Sequence, residues 1–221
     1  MKTNLNLLLR LSLTAVFFLL FSACTSIPIK IQKMKVKEHE PKLSKVVLLL
    51  TDSDFSNFKH EEKTLVNDWS YNLGYYLTYA IHDSLGAIFE TTAQAGSLGA
   101  LDSFDLVIKP TVIDFSAPLP LIPAMHTKTK ITLQYEVTPK APQKPFRLIA
   151  TGTYEVLNNE DEKVYSSLIF NDKNTYEKSS WFPNENSQEY RKYAAKDAYI
   201  AIYHALTKLN DQLLLKLKDS E

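Results

Sequence analysis

Hydrophobic and polar positions change rhythm several times along this chain, and each change marks an element. Leu11 to Phe21 is apolar apart from Ser12 and Thr14, follows the basic Lys2 and Arg10, and ends at the small Ser22 and Ala23. At about half the roughly 20 residues that span a bilayer, this run suits a secretory signal better than a membrane helix. Residues 25–44, TSIPIKIQKMKVKEHEPKLS, carry repeated lysines, two prolines and no long apolar run. They read as a tether, which would reach roughly 65 Å extended or average roughly 25 Å as a coil. Lys30, Lys33, Lys35 and Lys37 make it a soluble leader, with a second reading in which they rest against anionic headgroups. Because Ile27, Ile29 and Ile31 alternate, IPIKIQ also reads as an added edge strand.

Beyond the leader, KVVLLLT (45–51) is a continuous apolar run that predicts a buried strand. After the loop DSDFSNFKHEE, Leu65, Trp69, Leu73, Leu77, Ile81 and Leu85 recur every fourth residue. Val66, Tyr76 and Ala80 widen that stripe, which predicts one long helix stopped by Gly86. AIFETT follows as a short strand. DLVIKPTVIDF (105–115) predicts a strand in which Pro110, lacking an amide donor, marks an edge or a bulge. In TKTKITLQYEVT (127–138), Thr129, Ile131, Leu133, Tyr135 and Val137 point one way, and Lys128, Lys130, Thr132, Gln134 and Glu136 the other. One wet face implies an antiparallel sheet. FRLIATGTYEVL and VYSSLIF, joined by NNEDEK, read as a hairpin. A polar loop over 171–187 then leads to a last helix whose face is Ala194, Ala198, Ala201, Ile202, Ala205, Leu209 and Leu213.

The expected class is α+β, with a mostly antiparallel sheet and two long helices packed on one face. The expected division is a signal over 1–23, the cysteine and tether over 24–44, and a single domain over 45–221. No internal repeat or low-complexity tract interrupts it.

Charge and cysteine content narrow the setting. The full chain has 25 basic and 25 acidic side chains. Removing 1–23 takes away Lys2 and Arg10, leaving 23 against 25, too near neutrality for a nucleic-acid partner held by electrostatics. Cys24 is the only cysteine, so no disulfide can form within the chain. A catalytic thiol needs a base and a shaped pocket, whereas Cys24 lies between the apolar run and a polar segment.

Phe21-Ser22-Ala23-Cys24 resembles the lipobox of bacterial lipoproteins, departing from it at Phe21, where leucine is usual. The resemblance implies cleavage between Ala23 and Cys24, a lipid on Cys24 and attachment to a membrane. Thr25 rather than aspartate after the cysteine then favours the outer membrane, with the domain facing the periplasm. A looser resemblance runs over residues 45–215: KVVLLLTDSDF, a helix leading to AIFETT, DLVIKPTVIDFSAP, KITLQYEV and an alanine-rich last helix. That order is similar to small envelope lipoproteins with a fold like the amino-terminal domain of TolB, among them the YajG-type lipoproteins. It implies a fold and non-enzymatic partner binding, and carries over no site residue.

Enzyme constellations fail by spacing. HEEKT at His60 has Thr64 where a zinc-protease helix needs its second histidine. Gly96-Ser97-Leu98-Gly99 has the wrong glycine spacing for a nucleophile elbow. Histidines 39, 60, 82, 126 and 204 lack ligand spacing. Asp52 and Asp54, just after the first strand, read as helix caps or as a divalent-cation site. The expectation is therefore no enzyme, no cofactor, no metal and no catalytic residue. Two stretches read as interaction surface or as cover for the protein's own core. One is the proline-rich loop SAPLPLIPAMH with Leu119, Leu121, Ile122 and Met125. The other is a helical stripe of Tyr71, Tyr75 and Tyr79. The function expected is accessory or assembly work for an envelope machine through an envelope protein partner. The alternative is a surface-exposed lipoprotein binding host molecules or small ligands.

Overall fold

The computed structural model describes residues 26–29, 31, 34, 39–63, 68–97, 103–118, 128–155 and 188–218. In order these form β1 (Ser26–Ile29), β2 (Leu43–Leu50), α1 (Ser53–Ser56), β3 (Lys59–Lys63), β4 (Asp68–Asn72), α2 (Leu73–Gly86), β5 (Phe89–Ala95), β6 (Leu106–Ser116), β7 (Lys128–Pro139), β8 (Phe146–Glu155) and α3 (Gln188–Lys218). The class is α+β. The large sheet has the order β5-β2-β6-β7-β8, and a small one the order β1-β4-β3.

The apolar run of β2 fits its place. It pairs in parallel with β5 on one side and β6 on the other, and Val47, Leu48 and Leu49 are all buried. Antiparallel pairing takes over beyond β6, in the long ladders from Leu106↔Pro139 to Ser116↔Lys130 and from Lys128↔Glu155 to Val137↔Phe146. Pro110 lies past Ile108, where the β2 ladder ends, and a bulge follows between Val112 and Asp114. No β2 donor is needed there. Alternation in β7 is realised: Ile131, Leu133, Tyr135 and Val137 are fully buried. On the opposite face Lys130 pairs with Asp114 at 2.9 Å and Arg147 with Glu136 at 2.7 Å. Thr132 departs from the wet pattern, being buried with its hydroxyl 2.9 Å from that of Thr151.

Both helices cover the inner face, α2 against β5 and α3 against β7 and β8. They meet where the Asn210 amide donates to Ser84 Oγ at 2.6 Å. Every residue of the expected apolar face of α3, from Ala194 to Leu213, is buried. Its alanines let the helix descend onto Gly152 of β8, where a methyl group would collide with the Ala201 carbonyl oxygen and come within 2.5 Å of the Ala205 nitrogen. The same helix covers the outer edge of β8. His204 Nδ1 and Lys208 Nζ donate to the carbonyls of Thr153 and Thr151 at 2.9 Å, and Gln212 Nε2 to that of Ile149 at 3.2 Å. Four helical residues rise about 6 Å and two strand residues about 6.6 Å, so the three side chains stay in step with alternate carbonyls.

The first long helix is shorter than its stripe predicts. It begins at Leu73, and Trp69 and Tyr71 belong to β4, which pairs antiparallel with β3 and parallel with β1. A spacing of four residues is about one helical turn but also two strand periods, so Leu65-Trp69-Leu73 is compatible with either. Aromatic content and an alternating KHEEK partner decide for strand. The stretch IPIKIQ contributes its first three residues to the edge strand Ser26–Ile29, within the segment read as a tether. VYSSLIF lies outside the described residues.

Candidate interaction surface

Tyr75 and Tyr79 lie one turn apart on α2, so their rings stack along one face of the helix. They are 70% and 47% exposed, with ring centroids 4.7 Å apart and tilted by 56°. The Tyr79 hydroxyl, bonded to that of Tyr75, holds the Tyr75 phenol above its ordinary value. Tyr76, the residue after Tyr75, turns inward. Burial pushes its phenol well up, the nearby Tyr199 adds to this, and its hydroxyl has no hydrogen-bond partner among the described residues. The outer face of α2 thus presents two adjacent aromatic rings with polar tips, a pairing enriched where proteins meet.

Tyr71 does not join them. It sits on β4, 1% exposed, edge-on to Phe115 at 5.3 Å, and belongs to the core. The expected three-tyrosine stripe fails because the helix starts after Tyr71. Leu119, Leu121, Ile122 and Met125 lie outside the described residues, as do Ala23 and Cys24. The root of the proline loop is described: Ala117 is buried, and its amide donates to Glu62 Oε1 at 3.0 Å. That carboxylate oxygen also accepts from His60 Nε2 at 2.9 Å, and the imidazole packs edge-on against Phe115 at 5.0 Å. This clamp, which ties the small sheet to the end of β6, was missed in the sequence. Its signal was there in the two-residue spacing of His60 and Glu62, which puts both on one face of a strand.

Asp52 is a cap. Its Oδ1 accepts the Phe55 amide at 2.9 Å and its Oδ2 pairs with Lys109 at 3.0 Å. The Phe55 hydrogen bond, aided by Lys109, holds the carboxyl below its ordinary range. Asp54 occupies the first turn of α1. Among the described residues, no group of three or more His, Cys, Asp or Glu side chains could hold a metal ion. Nor is any helix there long and apolar enough to cross a membrane.

No protein-family model and no curated protein matches this chain. Among solved structures, that of a Xanthomonas campestris protein placed in family DUF330 is similar at a TM-score of 0.47 and 9% identity, over 87% of this chain and 99% of that one. Another, of an uncharacterized protein, is similar at a TM-score of 0.36 and 10% identity, over 83% and 99%. At these values neither likeness bears on function.

Proposed function

We propose that this chain is a lipid-anchored envelope protein that works by binding another macromolecule, as an accessory or assembly factor. The geometric observation that carries the binding half is the outward pair Tyr75 and Tyr79. Two rings of this size are left on the surface while Tyr76 of the same helix is half-buried and Tyr71 and Tyr135, on β4 and β7, are buried. The anchoring half rests on the lipobox-like Phe21-Ser22-Ala23-Cys24 and the apolar run before it. Cys24 supplies the thiol on which lipid is built. Each buried methylene contributes about 0.8 kcal/mol, so two or three acyl chains hold firmly where one binds reversibly. Thr25 after the cysteine supports outer-membrane placement, and that placement, with the domain on the periplasmic side, belongs to the same proposal. So does the likeness in element order to TolB amino-terminal-domain lipoproteins.

The test is photo-crosslinking in native membranes from a photoreactive residue at position 75 or 79. A discrete adduct from these positions, lost when the neighbouring tyrosine becomes alanine, supports the reading. The same spectrum of weak adducts from position 134, on the opposite face of the sheet, would refute it.

A further inference from the structure

The distance between Cys24 and the folded domain is set by where β1 begins. Only Thr25 separates the cysteine from Ser26, and Ser26 is already paired with Asp68 of β4. Two residue steps span at most about 7 Å. β4 in turn pairs Asp68 with Lys63 of β3, so Ser26, Asp68 and Lys63 share one end of the small sheet. That sheet is fastened to the body. Trp69, at the register of Ile27, is fully buried, Tyr71 packs on Phe115, and Glu62 accepts the Ala117 amide. An attachment at Cys24 therefore holds a fixed end of the domain, with no slack of tens of ångströms.

We infer that the Ser26–Asp68–Lys63 end of the small sheet rests on the surface of the lipid bilayer. This rests on the reading of Cys24 as the lipidated residue. The occupant follows from the chain length outside the described strand: acyl chains on Cys24 put its backbone at the headgroup level, and Ser26 within about 7 Å of it. The chain leaves β1 at Ile29, three residue steps or about 10 Å from the anchored end. α2 starts at Leu73, directly after β4 ends at Asn72, so the tyrosine-bearing helix begins at the end of the small sheet away from Asp68. The tyrosine-bearing helix thus sets out from the end opposite the foot.

The experiment uses full-length lipidated protein in vesicles of phosphatidylethanolamine and phosphatidylglycerol carrying a headgroup nitroxide. Lipid occupies the thiol of Cys24, so Lys63→Cys and Lys59→Cys each provide one site for a fluorophore, at opposite ends of β3 and both exposed. Four residues apart, or about 13 Å, the label at 63 should be quenched about threefold more than that at 59. A Gly/Ser insertion of about ten residues between Thr25 and Ser26 adds a coil of roughly 17 Å and should abolish the difference. Equal quenching at 63 and 59 in protein that carries palmitate overturns this inference alone. A difference that survives the insertion also overturns it, because Cys24 is then not what holds the foot. Absence of palmitate from the preparation overturns the anchor reading and this inference with it.

Discussion

Replacing Gly152 by alanine tests the packing of α3 on β8 more sharply than any change to a large side chain. The added methyl would collide with the Ala201 carbonyl oxygen, and would lie 2.5 Å from the Ala205 nitrogen and 3.0 Å from the Ala201 carbonyl carbon. All three are backbone atoms of a 31-residue helix, so no side chain can rotate away. The helix must retreat by roughly 1 Å, and a gap of that size forfeits a quarter to a half of each facing dispersion contact. Overpacking of this kind costs about 1–3 kcal/mol, with the upper part expected because the strain is shared along the helix. Gly152 does not have a positive φ, so alanine gains about 0.5–1 kcal/mol of backbone entropy in return. The net expectation is a loss of about 2 kcal/mol, a large fraction of a typical domain's 5–15 kcal/mol. Urea unfolding followed by circular dichroism measures it, with Gly86→Ala as control. Nothing lies within 4 Å of a methyl at 86, and that change should be neutral or stabilising by up to about 1 kcal/mol. Ala201→Gly should not rescue Gly152→Ala, because the clash is with a carbonyl. Rescue by Ala201→Gly, or equal stability of the two Gly→Ala variants, would refute this packing.

Changing His204, Lys208 and Gln212 together to alanine strips the donors from the β8 edge. Sedimentation velocity should then show self-association absent from the wild type, because unpaired edges recruit other chains. Asp52→Ala removes the α1 cap and should cost about 1 kcal/mol at neutral pH, with little of it from the exposed Lys109 pair. The folded-state pKa of Asp52 lies below its ordinary value of 3.8. That stabilisation is therefore complete above pH 3.8 and lost as pH falls through the lower folded value, so wild type and variant should converge in acid unfolding curves. Tyr75→Ala with Tyr79→Ala should leave stability within about 0.5 kcal/mol, while Tyr71→Ala should cost about 3 kcal/mol or more, both read by urea unfolding. Equal losses would place the exposed pair in the core.

Much of the architecture was legible before the structure. β7 was readable because a half-wet strand must alternate, and α3 because a stripe of alanines at helical spacing has few uses other than close packing. The start of α2 was not. Leu65, Trp69 and Leu73 repeat every four residues, which satisfies a strand as well as a helix, and the aromatic content of DWSYN tips it to strand only once β3 and β1 are there to pair with it. Tyr71 was misplaced for the same reason, and the tyrosine stripe shortened to the pair at 75 and 79. The edge cap on β8 was out of reach. His204, Lys208 and Gln212 look like an ordinary polar helix face until β8 is laid beside them. Capping by Asp52 was among the readings open in the sequence, but of the long helix rather than of α1, and its second partner, Lys109, lies 57 positions away and could not be foreseen.

The central claim is that a lipid on Cys24 holds a partner-binding domain at a membrane, and labelled palmitate tests it most directly. Cells expressing the wild type and Cys24→Ser are fed the label, and the protein is recovered and sized. The wild type should carry label and run at the cleaved size. The serine variant keeps the basic start and the apolar run, so it should still be exported, unlabelled and slightly larger because its signal is retained. Wild-type protein without label, or a serine variant labelled as strongly, would contradict the account.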